Sequence, residues 1–140
     1  MVDEGLIGRK LAAIETYLGQ LKEFSGFSLE NYEADWKAQR AVERTLQILI
    51  EQCVDIANHL ISDRAMRMPS GYSDTFKVLV ENGVIDEELF RSLERMARFR
   101  NLIVHQYEKI DPAIVLKILR ESLPDVDKYK KAVIGFMKNL

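Results

Sequence analysis

The sequence is poor in residues that staple, break or span. Of 140 residues, three are proline, seven are glycine and one is cysteine. A lone cysteine, Cys53, cannot form an internal disulfide, so no disulfide framework organises the fold. It falls on the apolar side of a helical pattern and reads as a core residue. No apolar run approaches the roughly 20 residues of a membrane-spanning helix. No signal peptide precedes the first helical pattern, so a cytosolic, reducing location is the expectation. Neither sign of charge dominates: Lys and Arg number 20, Asp and Glu 22, for a net charge of -2. Chains that bind nucleic acid through their overall field are usually strongly basic. Any such binding here has to use local arginines. There is no Gly-rich phosphate loop and no cluster of metal-ligand side chains. A metal- or nucleotide-binding enzyme therefore has no support, and no cofactor or metal is expected. Strand-like alternation, internal repeats and low-complexity tracts are also missing.

What remains is helical periodicity. The balance of 47% hydrophobic and 30% charged residues is that of an ordinary globular chain, and the length fits one domain over residues 1–140. Ile7, Leu11, Ile14, Leu18 and Leu21 mark a first helix from Asp3 to about Phe24. Ser25-Gly26-Phe27-Ser28 breaks it. Leu29 to Trp36 is ambiguous between a linker with a short turn and an early start of the next helix. A long second helix, from about Ala34 to Ile61, carries Val42, Leu46, Leu49, Ile50, Cys53, Ile56, Ala57 and Leu60 on a wide apolar face. Met68-Pro69-Ser70-Gly71 is a clear break, after which Ser73 or Asp74 is expected to cap a short helix through Phe76, Leu79 and Val80. Asn82-Gly83 ends that helix in the left-handed way. Asp86 caps the next helix. Asp111-Pro112 starts another, with Asp as the cap and Pro in the first turn, and Pro124 must kink or break it. The expected fold is all-α: an antiparallel bundle of four to five helices with a kinked last helix.

The helix beginning at Glu87 carries the chemistry. At about 100° per residue, Leu89, Leu93, Met96, Ile103 and Val104 share one apolar face. Arg100 falls near the middle of that face. A guanidinium there needs an anion, a carboxylate partner or an interface at which to emerge. Glu43, Glu51 and Asp55 of the long helix are the carboxylates within contention, and the sequence does not separate them. Asn101 and His105, four apart, share a ridge bordering that face. Arg91, Arg95 and Arg98 lie on its solvent side. On the long helix, Asp55 and His59 are also four apart. Three readings compete for that pair: a surface ion pair worth a few tenths of a kcal/mol, the border of a dimer cleft, and a metal site, which two side chains with no further His or Cys pattern nearby do not make.

The run Arg100-Asn101-Leu102-Ile103-Val104-His105 resembles the RNA-cleaving motif of the HEPN superfamily: Arg, a polar residue, three variable residues, then His. Tyr107 two residues on makes it similar to the HepT-like toxins in particular. The stretches Arg40 to Ser62 and Pro69-Ser-Gly-Tyr72 to Leu79 look like that family's second helix, central connection and third helix. The resemblance covers nearly the whole chain. It implies a small helical bundle, a two-fold homodimer and a metal-independent ribonuclease in a toxin–antitoxin pair with a small nucleotidyltransferase. It also implies that Arg100 and His105 are catalytic and that Tyr107 is the hydroxyl to which the antitoxin attaches AMP. Read from the residues alone, Arg95 and Arg98 are the local cations for a substrate, Asn101 either fixes the ring of His105 or donates to a phosphate oxygen, and Tyr107 could instead hydrogen-bond the substrate phosphate.

The residue types suit that chemistry. Cleavage by a neighbouring 2′-hydroxyl needs a base, an acid and a cation for the charged phosphorane. Histidine titrates near neutral pH and serves as base or acid, and arginine grips phosphate through a permanently charged fork. The spacing poses a difficulty. Five residues on a regular helix separate Arg100 and His105 by roughly 140°. Either the helix end is distorted, or two copies of the motif share one cleft across a two-fold axis. Leu102, apolar on a polar azimuth, fits the second. A binding module, a helical partner of a nucleotidyltransferase without cleavage activity, is the competing function; the mildly acidic total charge favours it.

Overall fold

The computed structural model describes residues 3–105 and 110–139, and among these there are seven helices and no strand. They are α1 (Glu4–Lys22), α2 (Leu29–Glu33), α3 (Trp36–Asp63), α4 (Tyr72–Glu81), α5 (Glu87–His105), α6 (Pro112–Glu121) and α7 (Leu123–Lys138). The expected bundle of four to five helices is present. The excess comes from α2, a single turn, and from Pro124, which divides the last expected helix into α6 and α7. The ambiguous stretch after residue 28 is thus a helix of its own. Ser28 caps it through the Asn31 amide, and Asp35 caps α3 through the Ala38 amide. Two caps seven residues apart leave room for only one turn between them.

Helix α3 is the axis of the molecule. It packs against α1, α2, α4 and α5, and eleven of its residues are buried. Helix α5 lies across α3, α4 and α7. Asp86 caps α5 as expected, its carboxylate accepting from the Leu89 amide at 2.8 Å. Asp111 caps α6 through the Ala113 amide. Cys53 is fully inside, and burial pushes its thiol up to about 12. Tyr129 of α7 reaches the same place, its hydroxyl donating to the Cys53 carbonyl at 2.8 Å.

The start of α4 departs from expectation. The helix begins at Tyr72, with Gly71 at the cap position and no side-chain cap. Asp74 sits one turn in and faces backwards over the connection. It accepts from the Ser70 amide at 2.9 Å and from both terminal nitrogens of Arg67 at 2.8 and 2.9 Å, while Arg67 Nε donates to Glu81 at 2.6 Å. So Asp74 braces the 64–71 connection instead of capping a helix. The helix ends on either side use left-handed residues: Gly83 (φ 74°) after α4, as expected, and Ala65 (φ 52°) after α3. In both, the next amide reaches five residues back, Val84 to Leu79 and Met66 to Ile61. Ala65 does so against the Cβ clash that makes glycine the usual choice.

The brace has a pH signature. The Arg67 guanidinium holds the Asp74 carboxyl well below the usual carboxylate range, and Glu81 is lowered by the same partner. A depressed carboxylate stabilises the fold above its unfolded value, about 4, and that contribution is lost as pH falls through the folded value. Asp74→Asn is therefore expected to flatten the acid side of the stability curve. The check is the melting temperature of both proteins at pH 7 and between about pH 4 and pH 2. A difference that stays constant through the acid range counts against the brace. The effect is small, because the groups are near the surface.

Candidate active site

The apolar stripe of α5 is buried from Leu89 to Phe99 and then opens. Phe90, Leu93, Met96, Ala97 and Phe99 are inside, whereas Leu102, Ile103 and Val104 are half-buried. Arg100 stands where the stripe opens. Its Nε and Nη2 both donate to Glu51 Oε1, at 3.1 and 2.9 Å. The Gln47 side-chain amide donates to the same oxygen at 3.1 Å. The guanidinium carbon lies 4.4 Å from the centroid of the Tyr72 ring, a cation–π distance. Nη1 donates to Asn101 Oδ1 at 3.3 Å. Arg100 keeps 17% of its side chain exposed and Glu51 30%.

Of the three carboxylates open as partners of Arg100, Glu51 is the one used. Asp55 pairs instead with Lys10 of α1 at 3.4 Å. Glu43 is half-buried, and desolvation raises its carboxyl. The Asp55–His59 pair does not form: Asp55 turns to α1 and His59 is exposed. Hydrogen bonds to charged groups contribute about 1.5–3 kcal/mol. That is enough to hold the guanidinium in place within one chain.

Asn101 and His105 are both exposed and follow one another up the same ridge. Helix α5 stays α-helical through His105, so the stretch from Arg100 to His105 is not distorted. The divergence of roughly 140° between Arg100 and His105 therefore stands, and no hydrogen bond joins them. Arg95 and Arg98 are exposed as expected, and Arg98 pairs with Glu94 at 3.4 Å. Leu102 lines a cavity of about 350 Å³ with Ile114 and Ile118 of α6. Its place on a polar ridge thus has a partial explanation inside one chain, which weakens it as a sign of a second copy. Tyr107 lies outside the described residues. Among the described residues, no group of three His, Cys, Asp or Glu is placed to hold a metal ion, and no helix is long and apolar enough to cross a membrane.

Sequence reasoning did not find Tyr72 or Gln47 at this site. Gln47 had a local signal, since it precedes Glu51 by one turn and shares its face. Tyr72 had none: only the packing of α4 against α5 brings its ring under Arg100.

A helical bundle that ends a half-buried helix in Arg100, Asn101 and His105 is of the HEPN class. Solved structures agree. A toxin–antitoxin structure with AMP-PNP superposes with a TM-score of 0.88 at 26% identity, covering 94% of this chain and 99% of that one. The tri-AMPylated Shewanella oneidensis HEPN toxin in complex with MNT antitoxin gives 0.86 at 27% identity, covering 96% and 99%. The chain belongs to the ribonuclease HepT-like family, whose profile matches residues 14–133. Its curated relatives include the mRNA nuclease HepT of Shewanella oneidensis, 28% identical over 124 residues, 89% of this chain and 92% of the relative. The tRNA nuclease HepT of Aphanizomenon flos-aquae is 29% identical over 143 residues, 99% of this chain and 95% of the relative.

Proposed function

We propose that this protein is the toxin of a toxin–antitoxin pair: a metal-independent endoribonuclease of the cytosol, controlled by a nucleotidyltransferase partner and working in a cleft shared by two copies of the chain. The observation that carries this is the placing of Arg100, Asn101 and His105 on the last turns of α5, in a chain whose relatives, matched over most of their length, are named RNA nucleases. The chemistry needs no other group. An imidazole takes the proton of a 2′-hydroxyl as its oxygen bonds to phosphorus. Arg100 stabilises the negative phosphorane. The bond to the 5′-oxygen then breaks, and that oxygen takes a proton from an imidazolium, either the one formed in the first step or that of the second copy's His105. The products are a 2′,3′-cyclic phosphate and a 5′-hydroxyl.

The case for two copies is geometric. Within one regular helix Arg100 and His105 point apart, so a single chain does not aim both at one phosphate. A two-fold axis past the end of α5 brings the Arg100 of one copy and the His105 of the other to the same cleft. The half-buried Ile103 and Val104 supply apolar surface for that contact.

Purified protein incubated with RNA in excess EDTA is expected to cleave it and leave 2′,3′-cyclic ends. Loss of cleavage in EDTA with recovery on adding a divalent ion would point to a metal mechanism. Absence of cleavage on any RNA moves the protein to the binding-module reading, which the Arg100–Glu51 pairing favours by leaving the cation occupied in the free chain.

Control by the partner is assigned to Tyr107. AMP attached to its hydroxyl places negative charge where RNA phosphate would sit. Tyr107→Phe is expected to stay folded and cleave RNA, yet escape neutralisation when the partner is co-expressed. Full neutralisation of that variant counts against the assignment.

A further inference from the structure

The Arg100 guanidinium is held on two sides. An arginine fork offers five N–H donors in a rigid plane. Glu51 Oε1 takes one from Nε and one from Nη2, along one edge of the plane. Asn101 takes one from Nη1. The Tyr72 ring lies against the face. One N–H on Nη1 and one on Nη2 remain uncommitted, on the two atoms that bound the end edge of the fork. That is the edge that grips two oxygens of a phosphate side by side. Gln47 in turn steadies the Glu51 oxygen that does the holding.

We propose that Glu51 and Tyr72 are positioning residues: together they set the plane and rotation of Arg100 so that its Nη1–Nη2 edge meets the phosphate as the phosphorane forms. This rests on the ribonuclease reading above. It assigns the Glu51 pair to the mechanism instead of treating it as a blocked site. The carboxylate also repels the bound phosphate, so it weakens RNA binding while it raises the rate of the step. Tyr72 supplies only its ring, because no contact among the described residues uses its hydroxyl.

The test uses the full chain with variants at Glu51, Tyr72 and Arg100, follows melting temperature throughout, and takes kcat and KM on an RNA that the wild type cleaves. Glu51→Ala and Tyr72→Leu are expected to lower kcat by about 10- to 100-fold, the scale of a misaligned catalytic group. KM for Glu51→Ala falls, because the carboxylate that repels the bound phosphate is gone. Tyr72→Phe keeps wild-type kcat, and Glu51→Gln, which retains the acceptor, falls between wild type and Glu51→Ala. Loss through unfolding alone would track the melting temperature and leave KM unmoved. If Glu51→Ala and Tyr72→Leu keep wild-type kcat while Arg100→Ala is dead, the positioning role is wrong and the ribonuclease reading survives. Equal loss in Tyr72→Phe and Tyr72→Leu also overturns it. A second readout is independent of activity: the Arg100 Nε–H resonance in nitrogen-15 spectra, assigned with Arg100→Lys. Slow exchange in wild type and Tyr72→Phe, lost in Glu51→Ala, supports the clamp. Fast exchange in wild type overturns it, even if no RNA is ever cleaved.

Discussion

Arg100→Ala and His105→Ala are each expected to lower RNA cleavage by about 100- to 10,000-fold, with the fold intact. General acid–base groups contribute on that scale, and removing one donor to a developing oxyanion costs about 100- to 1,000-fold. Neither residue belongs to the core. His105 is exposed and Arg100 is only half-buried, so the loss is not one of folding. Arg100→Ala leaves the Glu51 carboxylate without its guanidinium, but that carboxylate is 30% exposed and can hydrate. The decisive form of this experiment mixes the two variants. A heterodimer of Arg100→Ala with His105→Ala holds one arginine and one histidine, on different chains. If the cleft is shared, the mixture recovers a measurable part of the activity that both parents lack. If each site lies within one chain, the mixture stays as inactive as the parents. Wild-type protein diluted to monomers with undiminished specific activity would likewise count against a shared cleft.

Tyr129→Ala is expected to cost about 3–5 kcal/mol of stability, the range for deleting a large buried aromatic. The ring is fully buried and meets Phe76 edge to face, with centroids 5.8 Å apart at 89°. Its hydroxyl donates to the Cys53 carbonyl in the middle of α3. One side chain therefore joins α7 to α3 and α4. Tyr129→Phe separates the two contributions: it keeps the ring and loses the hydrogen bond, for about 1 kcal/mol. Denaturant unfolding of both variants checks this. Near-equal losses would show that the hydroxyl, not the ring, carries the joint.

Most of the helix plan was legible from local rules. Asp86 and Asp111 cap where expected, and Gly83 ends α4 with a positive φ. These depend on a residue and its neighbours within one turn. The start of α4 was misread because Asp74 has two uses, a cap or an ion-pair partner. Arg67, seven residues back, decides between them. The Asp55–His59 pair failed for a similar reason. The spacing allowed it, but Lys10, forty-five residues away, takes the carboxylate.

The candidate site shows the same division. Arg100, Asn101 and His105 stand out in the linear chain because a cation on an apolar stripe, beside an amide and an imidazole, is hard to explain by packing. The spacing also showed that one helix cannot aim both ends of the motif at the same atom. Which carboxylate holds Arg100 was decided by how α3 crosses α5, and Tyr72 entered only because α4 folds back onto that crossing. Helical periodicity and caps are set by bonds spanning a few residues, so the chain carries them in its order. The orientation of a guanidinium is set by groups that sequence separates by tens of residues, and only the packed bundle brings those together.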